Sequence, residues 1–176
     1  MTDTRDSDTA HLPGSDTGAA PNLQTVAQYL KDLSFENYNA PQSLMQSAEP
    51  PEIEVSVNLE VQNMADNVYE IDLTITATAD RDDERVFLVE VVYGGLFQIQ
   101  NVSQDALMPV CLIECPRLLF PFARRIIADA TRDGGFPPLL VDPIDFHRLY
   151  HERYSEASGG AGNGTGNRPA GNDEET

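Results

Sequence analysis

Residues 52–60, EIEVSVNLE, decide the fold class because their apolar and polar side chains alternate strictly. One face of this segment carries Ile53, Val55, Val57 and Leu59. The opposite face carries glutamate, serine and asparagine side chains. A period of two residues is typical of a strand in an antiparallel sheet that is buried on one side only. The segment therefore predicts a sheet with one apolar face and one wet, acidic face.

Two further strands are predicted after this segment. Residues 69–78 alternate in the same way, whereas residues 85–93 are apolar on both faces except at Glu90. A strand that is apolar on both faces is expected either in the interior of a sheet or with one face against something other than water. The turns that separate the three strands are predicted at 65–67 and 80–83. A fourth strand is predicted at 29–35, with Tyr29, Leu33 and Phe35 at alternate positions.

The second half of the chain changes to a helical pattern, so the fold is expected to be α+β. Pro121 suits the first turn of a helix and would break the middle of one, so the main helix is predicted from Pro121 to just before Gly134. Residues 116–120 are then expected to be a non-helical lead-in. Two shorter helices are predicted, one from Ser103 to Leu112 and one after Asp142. The apolar stripe of the main helix is expected to be Phe122, Ile126, Ile127 and Ala130.

The charge of the chain limits its partners. The sequence has 29 Asp and Glu against 11 Lys and Arg, which gives a formal net charge of −18. Nucleic acids and anionic membranes attract basic proteins, so neither is expected as a partner. A protein with basic patches is the expected partner, because opposite charges attract over long range. The alternative is that the acidity only keeps the protein soluble.

The two ends of the chain differ from its middle. Residues 1–21 are predicted to be a disordered acidic tail, and residues 155–176 a flexible, glycine-rich acidic tail. The folded domain is predicted at 22–154. No secretory signal and no apolar run near the ~20 residues of a membrane span are recognised, so membrane insertion is not expected. Cys111 and Cys115 are expected to be buried thiols, and the protein is expected in the cytoplasm.

The sequence contains no recognisable catalytic constellation. Gly94-Gly95 lacks the frame of a phosphate-binding loop and is interpreted as a β-bulge or tight bend. His147 and His151 have a spacing that zinc can use, but a solvated helix face is the favoured interpretation. We therefore expect no catalytic residues, no metal site and no cofactor, and we do not expect an enzyme.

Several short stretches occur together in the order found in one protein family. They are 31–36, 39–41, 68–70, 87–90, 94–97, 115–116, 119–124, 135–139 and 143–146. This set covers about residues 23–153 and resembles the SecB family of protein-export chaperones. The resemblance implies a four-stranded antiparallel sheet packed with two main helices. It also implies that the protein assembles as a dimer of dimers, a homotetramer.

The resemblance also implies two binding sites. The acidic sheet face that docks the translocase motor SecA would comprise Asp32, Glu36, Leu88 and Glu90. The aromatic groove for unfolded client chains would be lined by Phe87, Phe120 and Phe122. From the residues alone, the alternative for Glu90 is a charge that protects a strand edge, and a core role is the favoured interpretation for each phenylalanine.

The function implied is that of an ATP-independent holdase, which binds unfolded precursor proteins and delivers them to SecA. An alternative is a chaperone of the same fold with another role, in a toxin–antitoxin system or as a general holdase. Two rival classes remain open from the sequence: a protein with a small-ligand or metal pocket, and a module that only dimerises.

Overall fold

The computed structural model describes residues 20–45 and 50–155 of the chain. Its strands are β1 (Asn22–Asn37), β2 (Glu52–Ala65), β3 (Val68–Arg81) and β4 (Glu84–Gln100). Its helices are α1 (Gln42–Met45), α2 (Gln104–Pro109), α3 (Cys115–Asp133) and α4 (Phe146–Tyr150), with π-helical turns at Val110–Glu114 and His151–Ser155. Most of the two predicted tails lies outside the described residues, so their disorder stays a prediction.

The four strands form one antiparallel sheet in the order β1-β4-β3-β2. Strand β4 is an interior strand, which confirms the prediction from its doubly apolar pattern. Both predicted turns are confirmed. The turn between β2 and β3 uses Asn67 at φ 60°, and the turn between β3 and β4 uses Asp82 and Asp83 at φ 51° and 63°. Asn and Asp tolerate this left-handed conformation better than most residues.

The two faces of the sheet differ as the alternation predicts. The apolar face is covered by helix α3, which lies across β4 and β3. On this face Ile71, Leu73, Ile75, Ala77, Ala79, Val89, Val91 and Phe97 are fully buried. The outer face carries no helix among the described residues, and on it Thr74, Thr76 and Thr78 are only half-buried. The class of fold is therefore α+β, with the main helix packed on one side of the sheet.

The structure of strand β1 differs from the prediction in the face to which Tyr29 points. Its pairing with β4 shifts between Thr25 and Ala27 and again between Leu30 and Asp32. An extra residue reverses the alternation of side chains. As a result Tyr29, opposite Gly94, points to the outer face, while Leu33, opposite Val91, points to the helical face. The prediction that Tyr29 shares a face with Leu33 was wrong.

The glycine pair of β4 is not a bulge, and this prediction was also wrong. Gly94 and Gly95 pair in continuous register with both neighbouring strands. A β-carbon at Gly95 would lie 2.7 Å from Cδ2 of Leu119, and one at Gly94 would lie 2.8 Å from Cε2 of Tyr29. Each glycine therefore permits a close approach on its own face of the sheet.

The main helix begins earlier than the sequence predicts. Pro121 lies inside α3, and the expected non-helical lead-in at 116–120 is helical. Proline at this position removes one backbone hydrogen bond and costs about 3 kcal/mol in an exposed helix. Burial of Leu119 and Phe120 on the sheet contributes roughly 1.5–3 kcal/mol for each side chain, which offsets that cost. The buried stripe of α3 also differs from the predicted one, since Phe122 is 43% exposed.

Helix α2, the π turn and α3 form one continuous helical stretch, Gln104–Asp133. By length and composition alone this stretch is apolar enough to cross a membrane. Its buried residues, among them Cys111, Leu112 and Leu119, pack in the core of the domain. A core helix satisfies the same length and composition test.

The last helix begins three residues after the predicted proline start. Asp145 is its N-cap, and its carboxylate accepts a hydrogen bond from the backbone N–H of Arg148 at 3.0 Å. This bond lowers the pKa of the Asp145 carboxyl group. The aspartate side chain satisfies an otherwise free N–H of the first turn, so the helix begins after Asp145 rather than after Asp142.

Candidate functional site

A groove runs along β2 on the helical side of the sheet. Its first cavity, of about 470 Å³, is lined by Pro50, Pro51, Ile53, Arg81, Phe87, Phe136, Pro137, Pro138 and Leu139. Its second cavity, of about 610 Å³, is lined by Ile53, Val55, Ser56, Val57, Val141, Asp142, Pro143, Ile144, Asp145, Arg148, Leu149, Glu152 and Arg153. Because Ile53 lines both cavities, we treat them as one groove.

The groove exists because the helices do not cover the start of β2. Leu59, near the other end of the apolar face of β2, is buried at 8% exposure. Ile53 and Val55 lie on the same face but are 36% and 42% exposed. Apolar side chains in such a position lower the free energy when another apolar surface removes them from water.

The opposite wall of the groove is the segment after α3. Gly135, at φ 90°, turns the chain away from the helix. The buried hydroxyl of Thr131 then accepts a hydrogen bond from the backbone N–H of Leu139 at 2.9 Å, which fixes the segment to α3. Pro137 and Pro138 between these points have no N–H to donate. The wall therefore presents mainly apolar surface to the groove.

The three phenylalanines predicted to bind clients occupy different places. Phe87 lines the groove and packs on Phe136 with ring centroids 4.9 Å apart. Phe120 is 8% exposed and meets Phe146 edge-on, at a centroid distance of 6.2 Å. Phe122 stacks on Tyr93 at 5.9 Å and is exposed. Neither Phe120 nor Phe122 lines the two cavities, so the structure does not bring the three side chains together.

The four residues predicted to dock SecA lie together on the outer face. Glu36 of β1 is directly opposite Leu88 of β4, and Glu90 is opposite Ser34. Asp32 is opposite Val92, one pair further along the same face. Side chains of opposite residues in an antiparallel pair point to the same side. We call Asp32, Glu36, Leu88 and Glu90 the acidic face.

Hydrogen bonds hold two carboxylates of the acidic face in place. The hydroxyl of Thr76 donates to Oε2 of Glu90 at 2.8 Å. The hydroxyl of Tyr38 donates to the carboxylate of Glu36, and this bond raises the pKa of Tyr38. Neither glutamate forms an ion pair among the described residues.

A second group of charges lies beside the acidic face. Lys31 Nζ is 2.6 Å from Asp72 Oδ2 and 3.1 Å from Glu70 Oε1. Tyr29 donates a hydrogen bond to Glu70 as well. This bond, with help from Lys31, lowers the pKa of Glu70, and it raises the pKa of Tyr29 to about 12. These side chains meet across β4 because Gly94 has no side chain between them. Lys31 thus forms ion pairs with both carboxylates, whereas the carboxylates of the acidic face form none among the described residues.

The described residues form no group of three or more His, Cys, Asp or Glu side chains that would hold a metal ion. His147 and His151 contact each other, with their Nε2 atoms 3.3 Å apart, on an exposed helix surface. Cys111 and Cys115 are fully buried. Burial raises the pKa of Cys111 to about 11 and also raises the pKa of Cys115. Neutral thiols of this kind are poor nucleophiles.

The domain combines an apolar groove along β2 on the helical side of the sheet with an acidic face of β1 and β4 on the outer side. This combination is typical of a class of binding domains that contact other polypeptides. The family model described as preprotein translocase subunit SecB matches residues 16–157. The protein-export protein SecB of Parvibaculum lavamentivorans is 54% identical over 144 residues, which are 82% of this chain and 86% of the relative. That of Maricaulis maris is 45% identical over 170 residues, 94% of this chain and 99% of the relative.

The chain therefore belongs to the SecB family, as the resemblance of its motifs predicted. The family is one of protein-export chaperones and is not an enzyme family. A solved SecB-like chaperone of Mycobacterium tuberculosis, in complex with an antitoxin peptide, has a TM-score of 0.59 at 14% identity. The likeness covers 69% of this chain and 90% of that chain, and it shows that the fold is shared.

Sequence reasoning missed most of the groove. Ile53 and Val55 were predicted to be buried with the rest of their face, and the wall at 136–139 was predicted only as part of a motif. The available signal was the pair Pro137-Pro138, which no helix or interior strand accommodates. Arg81 gave no signal, because it lies in a charged hairpin turn.

Proposed function

We propose that the protein is an ATP-independent holdase that binds unfolded precursor proteins in the groove and delivers them to SecA. The observation that carries this proposal is the groove itself, with Ile53 and Val55 exposed at its floor. From Ile53 to Val57 it follows roughly 14 Å of strand, which is enough for several residues of an extended chain. A client loses apolar surface to the groove, at about 25 cal/mol per Å².

A holdase of this type acts by mass action. Binding the unfolded chain lowers the concentration of free chain that can fold or aggregate. The purified protein is expected to suppress aggregation of a chemically unfolded test protein without nucleotide. Equal aggregation with and without the protein would refute the proposal.

Matched variants locate the client site. Replacing Ile53 and Val55 together by aspartate is expected to weaken client binding at least about tenfold, because the groove floor becomes charged. Leu140→Asp is the control, since Leu140 is 62% exposed, lies beside the groove wall and does not line either cavity. Similar losses in both variants would remove the groove from the proposal.

The client-binding roles of the three phenylalanines stay predictions, and the three side chains differ in their position relative to the groove. Phe87 lines the groove but is only 3% exposed, and Phe120, which is 8% exposed, can act on the groove only through the side chains it supports. Phe122 lies with Leu118 on an exposed surface of α3, where Leu30 and Leu33 of β1 are exposed as well. We propose that a second copy of the chain covers this surface in the dimer of dimers. Light scattering of the purified protein is expected to give the mass of four subunits, and Phe122→Asp is expected to lower it.

The acidic face is the proposed docking site for SecA. Glu90→Lys is expected to weaken SecA binding in a titration at low salt, where exposed charges interact most strongly. Asp66→Lys is the control, because it changes the net charge equally and lies exposed in the turn between β2 and β3, outside the acidic face of β1 and β4. Equal affinity of the two variants for SecA would remove the acidic face as the docking site.

Export is favoured over a toxin–antitoxin role. The relatives with 45% to 54% identity are protein-export proteins, whereas the antitoxin-bound neighbour shares only the fold. The proposal assigns the protein to the cytoplasm, as the sequence analysis predicts. Loss of precursor export in a strain that lacks the protein, with recovery on re-expression, tests the export role.

A further inference from the structure

Two histidine side chains come together near the end of the described chain. His147 lies in α4, and His151 is the first residue of the π-helical turn that follows it. Their ring centroids are 4.4 Å apart, and their Nε2 atoms are 3.3 Å apart on an exposed surface. The sequence predicts a solvated helix face for this pair, and the structure adds that the two nitrogen atoms approach each other.

The distance between the two nitrogen atoms suits a metal ion. Imidazole nitrogen binds zinc at about 2.0–2.1 Å, and two ligands of a tetrahedral ion make an angle of about 109° at the metal. Two nitrogen ligands of one such ion are therefore about 3.3–3.4 Å apart. The Nε2 atoms of His147 and His151 have this separation in the protein alone.

The protons of the two rings allow the same exchange. A hydrogen bond between the two Nε2 atoms requires that one ring carries its proton on Nε2. A metal ion needs a lone pair on both atoms. The ring that donates supplies it when its proton moves to Nδ1, since neutral imidazole carries its single proton on either nitrogen.

The surroundings of the pair are compatible with a cation. Arg148 is the adjacent positive charge, and its Nε atom is 3.5 Å from Oε1 of Glu152, which balances it. The ring of Tyr150 meets His151 edge-on at a centroid distance of 5.6 Å, and this contact limits the rotation of the imidazole. The net charge of −18 attracts divalent cations to the chain as a whole.

We propose that His147 and His151 form a binding site for one divalent transition-metal ion, with Zn²⁺ as the test case. Imidazole is a ligand for zinc, copper and nickel, whereas Mg²⁺ and Ca²⁺ prefer oxygen ligands. Two protein ligands leave the remaining positions of the ion to water. The ion is therefore exchangeable with solution, unlike the ion of a closed structural site with four protein ligands.

A bound ion would join α4 to the turn that fixes the end of the described chain to β2. Arg153 in that turn donates a hydrogen bond to the backbone oxygen of Val57 at 2.7 Å and another to Oδ1 of Asn58 at 3.2 Å. An ion that binds only this folded arrangement stabilises it by mass action. Zn²⁺ is therefore expected to slow amide hydrogen exchange in residues 146–153.

Calorimetric titration of the full chain with zinc chloride, in a buffer that does not chelate zinc, tests the site. The variants are His147→Gln and His151→Gln. The control is His11→Gln, which removes the third histidine of the chain, a residue outside the described part. Wild type and His11→Gln are expected to bind one ion per chain. Each of the other variants is expected to lose at least about tenfold in affinity, because two linked ligands hold an ion more tightly than one.

Excess Mg²⁺ separates this site from the many carboxylates of the chain. Zinc binding that persists in Mg²⁺ and falls in both His147→Gln and His151→Gln supports the proposal. Absence of zinc binding to wild type, displacement by Mg²⁺, or loss in only one of the two variants overturns it. Hydrogen exchange of wild type needs no variant, and equal exchange in 146–153 with and without zinc overturns it as well. None of these results depends on client binding.

Discussion

Two neighbouring glycines of β4 permit close contacts on opposite faces of the sheet. Gly95 faces the helices and lets Leu119 approach the strand, so apolar contact brings α3 onto the sheet. Gly94 faces outward and lets Lys31 and Tyr29 reach across β4 to Asp72 and Glu70. One face is therefore stabilised by burial from water and the other by paired charges and hydrogen bonds. The two faces are therefore expected to respond differently to mutation and to pH.

The largest effect is expected on the helical face. Ile75 of β3 is fully buried there. Ile75→Ala is expected to lower the free energy of unfolding by about 3 kcal/mol, through lost burial and the cavity left behind. Urea unfolding followed by circular dichroism measures it. A loss below about 1 kcal/mol would contradict the close packing of this face.

The two glycines allow a direct comparison. Gly95→Ala is expected to lower the free energy of unfolding by about 2 kcal/mol, because its β-carbon overlaps Leu119 and Phe97 in the core. Gly94→Ala is expected to cost about half as much, on the order of 1 kcal/mol, because Tyr29 is 37% exposed and can move outward. The same urea titration compares them. Equal losses would mean that the outer face is packed as tightly as the inner one.

The charged group predicts a dependence on pH. Glu70→Gln is expected to lower the free energy of unfolding by about 1 kcal/mol at neutral pH, since it weakens the bonds from Tyr29 and Lys31. The folded pKa of Glu70 lies below its ordinary value of 4.5, so its stabilisation is present above pH 4.5. That stabilisation is lost as the pH falls through the lowered folded pKa.

The measurement is the difference in free energy of unfolding between wild type and Glu70→Gln at neutral and at acidic pH. The difference is expected to shrink on acidification, because protonated Glu70 resembles glutamine. An equal difference at neutral pH and at pH values well below 4.5 would show that Glu70 contributes no charge-dependent stability.

The smallest effect is expected at Thr76 on the outer face. Thr76→Val keeps the shape of the side chain and removes only its hydrogen bond to Glu90. Because Glu90 is half-buried, the expected change in the free energy of unfolding is about 0.5 kcal/mol or less. A loss above about 2 kcal/mol would mean that the outer face depends on its hydrogen bonds as much as the inner face depends on burial.

The sheet was predictable because alternation reports directly which side chains meet water. The segments of β2, β3 and β4, their turns and the interior place of β4 all followed from it. The face of Tyr29 did not, since a single inserted residue in β1 reverses the pattern without changing composition. The start of α3 was missed because the rule for proline considers the backbone alone, while burial of Leu119 and Phe120 offsets the lost bond.

The candidate site was predictable in unequal parts. The acidic face followed from family motifs, and the pairing of β1 with β4 brings its members together. The groove did not follow, because its openness depends on how far the helices extend over β2. Arg81 in particular is one of several charges in a turn, and only the three-dimensional arrangement distinguishes it from Arg85.

Lys31 is the only lysine in the chain, and its amine sits between Glu70 and Asp72. Acylation of lysine side chains, by an enzyme or by a reagent, therefore has a single target in this sequence. Modification there would remove the one cation that balances two nearly buried carboxylates. A label attached to the Lys31 amine would therefore disturb the sheet that it marks.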